Sequence, residues 1–382
     1  MCDPRHGGSI LSMFRALVLI ALVLTACGDH VGSGSISGVS PSPSPTDQVK
    51  PSPTLTPVPS PTAPTVAFPA RLALAVGTYD GLVYTQLVDG KPAGAPVRGC
   101  DGQVSSLAAL GRAVLIICRE PTYQLSIFDV DAGTASAIPG VEALEAAWTI
   151  QGDSIVYTTR GTCEPPAPIC KTKLMQRELH TGRTIQLDEQ YGVGSDLRLT
   201  GAGVTVWRAM NMSSFVRSPE QTGTWVIRDG TLTRFSAHRL IDGDKGRFLL
   251  ETDGSPSGFG CCTSVIFKFD QEQRITPASV DHERGVALLE DGRIVTFRPD
   301  PVNVFEGSVV VYRQGVVERI GRGAFSAFRV VRDLEWIVGS EISGAPGLTL
   351  HAYRISDGAF ASASGANITA LAVLGPAKHP IP

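Results

Sequence analysis

The chain has no hydrophobic run of the roughly 20 apolar residues that a membrane-spanning helix needs. It has no long amphipathic helical pattern either. It also lacks a dominant charge: 33 basic residues stand against 36 acidic ones, a formal net charge of −3. Without a basic excess there is no electrostatic footprint for nucleic acid, and no polybasic patch for anionic lipid. Catalytic signatures are missing as well. There is no G-x-S-x-G elbow, no Walker loop and no H-E-x-x-H pair. The cysteines form no C-x-x-C, and no H-x-x-x-H occurs, so the pattern points to no metal and no cofactor.

What the chain does have begins near its N-terminus. Arg15 provides a positive charge, Ala16 to Leu24 a short apolar run, and Leu24-Thr25-Ala26-Cys27 small residues before a cysteine. The run reads as a signal peptide over residues 1–26, with Met13 a plausible start because the preceding residues are polar and glycine-containing. The ending L-T-A-C resembles the lipobox of bacterial lipoproteins. That resemblance implies that Cys27 is lipidated and becomes the first mature residue, anchoring the protein on the extracytoplasmic face of the cell membrane. Whether the anchor lies in an inner or an outer membrane is left open. Loss of Arg5, Arg15 and Asp3 with the leader makes the mature chain one unit more negative.

Residues 27–65 form the next region. It opens as GSGSISG and continues with nine prolines among residues 41–65. Such a segment cannot bury enough apolar surface to fold and is expected to be a disordered spacer, part coil and part polyproline II. Six cysteines follow: Cys100, Cys118, Cys163, Cys170, Cys261 and Cys262. An even number in an oxidising compartment favours disulfides. Cys163 and Cys170 share one short loop, TCEPPAPIC, and Cys261-Cys262 could form a vicinal bridge. The full pairing stays open.

Residues 66–375 carry a repeat, followed by a tail at 376–382. Short β-branched runs recur as AVLIIC (113–118), SIVYTT (154–159), VTVWRA (204–209), RFLLET (247–252), RIVTF (293–297) and LEWIVG (334–339). A preceding apolar strand begins near 104, 144, 195, 237, 285, 325 and 368, a mean spacing of about 44 residues. Tight turns recur as Val88-Asp89-Gly90, Asp131-Ala132-Gly133, His180-Thr181-Gly182, Arg228-Asp229-Gly230, Arg313-Gln314-Gly315 and Ser356-Asp357-Gly358. Only Gln271-Glu272-Gln273 lacks the glycine that a positive φ favours. This period predicts an all-β, seven-bladed β-propeller of four-stranded antiparallel blades. Leu72 to Thr78 and the orphan strand Ile368 to Leu374 would close it. The pattern resembles extracytoplasmic WD40-like, TolB-like and quinoprotein-like propellers, without the Gly-His…Trp-Asp signature of true WD40 repeats.

In such a ring the connections after second and fourth strands share one face. The second-to-third connections are long and uneven here: 160–172, 210–222, 253–263, 298–307 and 340–346. Length variation on one face marks it as the binding face, and all six cysteines project to it. Residues entering the inner strands converge at the funnel mouth. The candidates are Glu145, Asp196, His238, Arg239, Arg329 and the run Asp281-His282-Glu283. An acid-His-acid run could orient a base or hold a metal, although neighbours in an extended segment point opposite ways. The expected role is that of a membrane-anchored scaffold binding a protein, peptide or glycan through the loop-rich face, with no nucleic acid partner. The alternative is a propeller hydrolase or lyase, with or without metal, using the mouth residues. Trp148, Trp207, Trp225 and Trp336 fall on strands, where packing between blades is their expected role.

Overall fold

The computed structural model describes residues 65–119, 122–163, 170–191, 195–208, 222–244, 246–252, 264–268, 272–274, 283–300, 302, 306–325, 327–341 and 348–375. All belong to the compact unit Pro59–Pro382. The leader, Cys27, the spacer up to residue 64, Cys261, Cys262, Asp281 and His282 lie outside the described residues. No helix among the described residues is long and apolar enough to cross a membrane.

The unit is an all-β propeller of four-stranded antiparallel blades. Six sheets each use four strands consecutive in sequence, spanning 104–142, 145–191, 195–236, 239–274, 284–324 and 327–366. Their inner strands are Val104–Leu110, Glu145–Trp148, Ser195–Thr200, Arg239–Asp244, Arg284–Leu288 and Ala327–Val331. A further four-stranded sheet is composite. The C-terminal Ile368–Val373 supplies its inner strand, and Leu74–Thr78, Leu82–Tyr84 and Val97–Arg98 supply the other three. Leu74 pairs with Val373 and Val76 with Leu371, so the two ends of the domain are joined in one ladder.

Burial explains why these runs become strands. Every residue of Ala113–Cys118 is buried, because a second strand is covered by a neighbouring sheet on both faces. The outer strand Thr134–Glu142 is mostly exposed. Apolar clusters lie between adjacent sheets. Leu115 and Ile117 meet Trp148, Ile155 and Tyr157, and Val156 meets Val204 and Val206. Val226 meets Leu240 and Leu250, Leu249 meets Ile294 and Tyr312, and Phe297 meets Ile337 and Tyr353. Val338 and Leu350 then meet Leu74 and Val76 of the composite sheet. Its Ala75 and Val83 meet Leu107, Val114 and Ile116, so the packing returns to the first sheet. Each buried large side chain contributes about 1.5–3 kcal/mol, distributed between sheets rather than in one central core. Trp148 follows this rule, for its Nε1 donates to the Ala108 carbonyl of the neighbouring sheet at 3.1 Å.

The hairpin turns have the geometry their residues predict. Asp89, Asp229 and Gln314 have φ of 48°, 50° and 51°, and the glycines after them 77°, 70° and 80°. Two successive positive φ values define the type I′ turn that matches strand twist.

Two expectations need correction. Seven blades were expected, the last closed by the two terminal strands; six sheets are built from consecutive strands, and the composite sheet differs from them. Its outer strands are only two and three residues long. Val88-Asp89-Gly90 tips an added two-stranded hairpin, Gln86–Val88 with Lys91–Ala93, and is not the sheet's own third-to-fourth turn. Pro92 and Pro96 remove backbone donors just where an outer strand would otherwise lengthen. The second correction concerns 160–172, read as loop from Arg160 onward. The strand instead continues to Cys163 and returns from Cys170, with those two residues paired across the ladder.

Candidate functional site

The inner strands begin beside the far ends of the second strands: Glu145 pairs with Thr158, Asp196 with Trp207 and Arg239 with Glu251. Their starts therefore lie on the face that carries the second-to-third connections. Inside the ring they line a cavity of about 430 Å³. Glu145, Asp196, Arg198, Asp242, Arg329 and Arg332 supply its charges, and Ser106 a hydroxyl. Side chains two apart on one strand share a face, which puts Asp196 and Arg198 together on the cavity wall.

Asp196 is the hub of this wall. Its Oδ1 accepts from Arg198 Nε at 2.5 Å. Its Oδ2 accepts from Arg239 Nε at 3.1 Å and Nη2 at 2.5 Å, a contact between the third and fourth sheets. Burial alone would raise the Asp196 pKa, but the charges of Arg198 and Arg239 outweigh it and hold the carboxyl below its ordinary value. A second ion pair lies deeper: Arg332 Nη2 donates to Asp242 Oδ2 at 2.5 Å. The same oxygen accepts from the Leu288 backbone N–H at 2.8 Å, while Arg332 Nη1 donates to the Leu288 carbonyl at 2.6 Å.

Arg329 is held differently. Its Nε donates to the Leu371 carbonyl at 2.9 Å and its Nη1 to the Phe328 carbonyl at 2.7 Å. Burial within the ring pushes its pKa below the usual arginine value, and the charge of Arg198 adds to that, with Asp196 opposing. Arginine starts so high that it remains a cation at neutral pH.

Four of the expected mouth residues thus converge: Glu145, Asp196 and Arg329 line the cavity, and Arg239 joins through Asp196. His238 does not line it. Its backbone N–H donates to Ser236 Oγ at 3.0 Å and its carbonyl accepts from the Thr224 hydroxyl at 2.7 Å, fixing the strand entry. Glu283 is a correction. It is fully buried, not at the mouth. Its carboxylate accepts from the Thr296 hydroxyl, from the Tyr312 hydroxyl at 2.8 Å and from Arg298 Nη2 at 3.2 Å. Burial and the adjacent Glu283 charge push the Tyr312 phenol far above its ordinary value. Glu283 therefore ties three strands of one sheet together. The rest of its run, Asp281 and His282, lies outside the described residues. Among the described residues no three His, Cys, Asp or Glu side chains gather as a metal set.

Arg198, Asp242, Arg332 and Ser106 were missed from sequence. The alternation from Asp196 to Arg198 was the available signal for the first; Arg332 lies just past its inner strand, and no period marks it.

Two disulfides reinforce the connection-rich face. Cys100 and Cys118 are bridged with Cα atoms 6.2 Å apart, joining the composite sheet to the first consecutive one. Cys163 and Cys170 are bridged at 4.0 Å, closing the hairpin end of the second sheet. The connections on this face include Arg208 to Gly223 and Thr252 to Ser264. On the opposite face Leu110 to Ala113, Thr200 to Gly203, Arg228 to Thr231 and Arg313 to Val316 are two-residue links.

No family model matches the chain, and no curated protein matches it. Solved structures do. TolB from Acinetobacter baumannii is 12% identical with a TM-score of 0.41, over 79% of this chain and 68% of that one. A putative 6-phosphogluconolactonase from Bacteroides fragilis is 12% identical with a TM-score of 0.45, over 79% of this chain and 98% of that one. The β-propeller domain of the Trilobed protease from Pyrococcus furiosus is 12% identical with a TM-score of 0.43, over 67% and 83%. At these values the likeness carries no activity across, and the fold assignment rests on the strand order itself.

Proposed function

We propose that this chain is a lipid-anchored extracytoplasmic binding protein. Cys27 would hold it to the membrane, residues 28–65 would act as a spacer, and the propeller would present its connection-rich face to a protein, peptide or glycan. In this reading the composite sheet is the closing blade, which brings the count to the seven expected from the period. The observation that carries the binding role is the asymmetry between faces. One face bears the uneven connections and both described disulfides; the other bears short links. Covalent staples at the bases of recognition loops reduce the ordering cost of binding. A hydrolase built on the Asp281-His282-Glu283 run has less support, because Glu283 is engaged in holding strands together.

The anchor is tested by Cys27→Ser. The native chain is expected in the membrane fraction, released only by detergent, and the variant in the aqueous fraction. Equal membrane retention of both would contradict the anchor while leaving the face asymmetry untouched.

A further inference from the structure

We infer that the central cavity binds a small oxyanion-bearing ligand, a carboxylate or phosphate compound, between the guanidinium groups of Arg198 and Arg329, with Ser106 as a further donor. Of the three carboxylates that line this cavity, Glu145, Asp196 and Asp242, the two aspartates are held by arginines. Asp196 is held by Arg198 and Arg239, and Asp242 by Arg332. The cations are not matched in return. Arg198 uses only its Nε, on Asp196, and both its Nη groups make no hydrogen bond among the described residues. Arg329 uses its Nε and Nη1 on backbone carbonyls and has no carboxylate within salt-bridge distance among the described residues, leaving Nη2 available. The Ser106 hydroxyl also makes no hydrogen bond among the described residues. All three side chains line the same cavity.

Three features favour an anion over another occupant. Planar guanidinium forks match the two oxygens of a carboxylate or phosphate, and such charge-assisted pairs are the strong ones. Two cations that line one cavity repel each other, and an anion between them removes that repulsion; burial is the main cause that lowers the Arg329 pKa, and the charge of Arg198 adds to it. The size suits a small molecule, for about 430 Å³ lies in the lower part of the range for ligand pockets. The backbone carbonyls on Leu371 and Phe328 hold Arg329 in place before any ligand arrives, so little side-chain ordering remains at binding.

The test uses the full chain in detergent, needs neither a membrane nor a partner, and so fails or succeeds independently of the anchoring role. Citrate and inorganic phosphate are titrated by calorimetry at constant ionic strength, with chloride as the control. Saturable binding of one or both is expected, at least tenfold weaker in Arg329→Gln and largely restored in Arg329→Lys. Citrate binding alone would identify a carboxylate ligand, and phosphate binding alone a phosphate ligand. Heat no greater than chloride's, or unchanged affinity in Arg329→Gln, would overturn the inference. A second measurement avoids mutation: phenylglyoxal labelling of the native chain, mapped by mass spectrometry, should show Arg198 and Arg329 protected by the bound anion. Equal labelling with and without citrate and phosphate would also overturn it.

Discussion

Asp196 and Glu283 stand at nearly the same station in their sheets, one just inside and one just before the start of an inner strand. Their fates differ. Asp196 faces the cavity, where two arginines meet it and water reaches it. Glu283 is sealed among strands, with a threonine, a tyrosine and an arginine as its partners. A strand's side chains alternate between faces, so a shift of one residue exchanges wall for packing. The lesson is that proximity to the channel in sequence does not make a residue part of its chemistry. The same charge serves recognition in one place and cohesion in the other.

The contrast predicts a large difference in stability. Glu283→Ala leaves a buried phenol and a partly exposed guanidinium without their acceptor and should cost about 3 kcal/mol in urea denaturation. Asp196→Ala, whose arginines stay hydrated, should cost about 1 kcal/mol or less. Equal losses would break the comparison. Tyr312→Phe sharpens it by removing a single donor to the buried carboxylate, with an expected loss of about 1.5–3 kcal/mol.

The smallest effect is in acid. The folded Asp196 pKa lies below its unfolded value, so its contribution is present above the unfolded pKa and is lost as pH falls through the folded one. Asp196→Asn should therefore lower stability modestly at neutral pH and flatten the profile below about pH 4, where the unfolded carboxyl titrates, so that the two proteins converge in acid. A variant with the native acid profile would show that the arginines do not act on this carboxylate.

Much of the ring was legible because its signals are local. AVLIIC and its counterparts are second strands as read, with continuous burial from the sheets on either side. The inner strands begin within two residues of the expected positions, because each apolar run follows a turn of fixed chemistry. Ile368–Val373 could be matched to Leu74–Thr78 only because each lacked a partner nearby. The composite sheet was misread at Val88-Asp89-Gly90, since a type I′ turn specifies a hairpin and not which sheet owns it. Within the site, Asp196 and Arg329 were found from their entry positions. Arg198 and Arg332 were not, for their role depends on which neighbours the ring brings across the channel. Glu283 was misplaced because orientation beside a strand's start is set by register, which composition does not encode.

The central claim is that the connection-rich face is the one that works. A photo-crosslinking residue at Arg119, exposed just after a second strand, can be compared in living cells with one at Ile150, exposed in a link on the opposite face. The account predicts a discrete adduct from position 119 and none from 150. Adducts of equal yield from both positions, or from 150 alone, would contradict it.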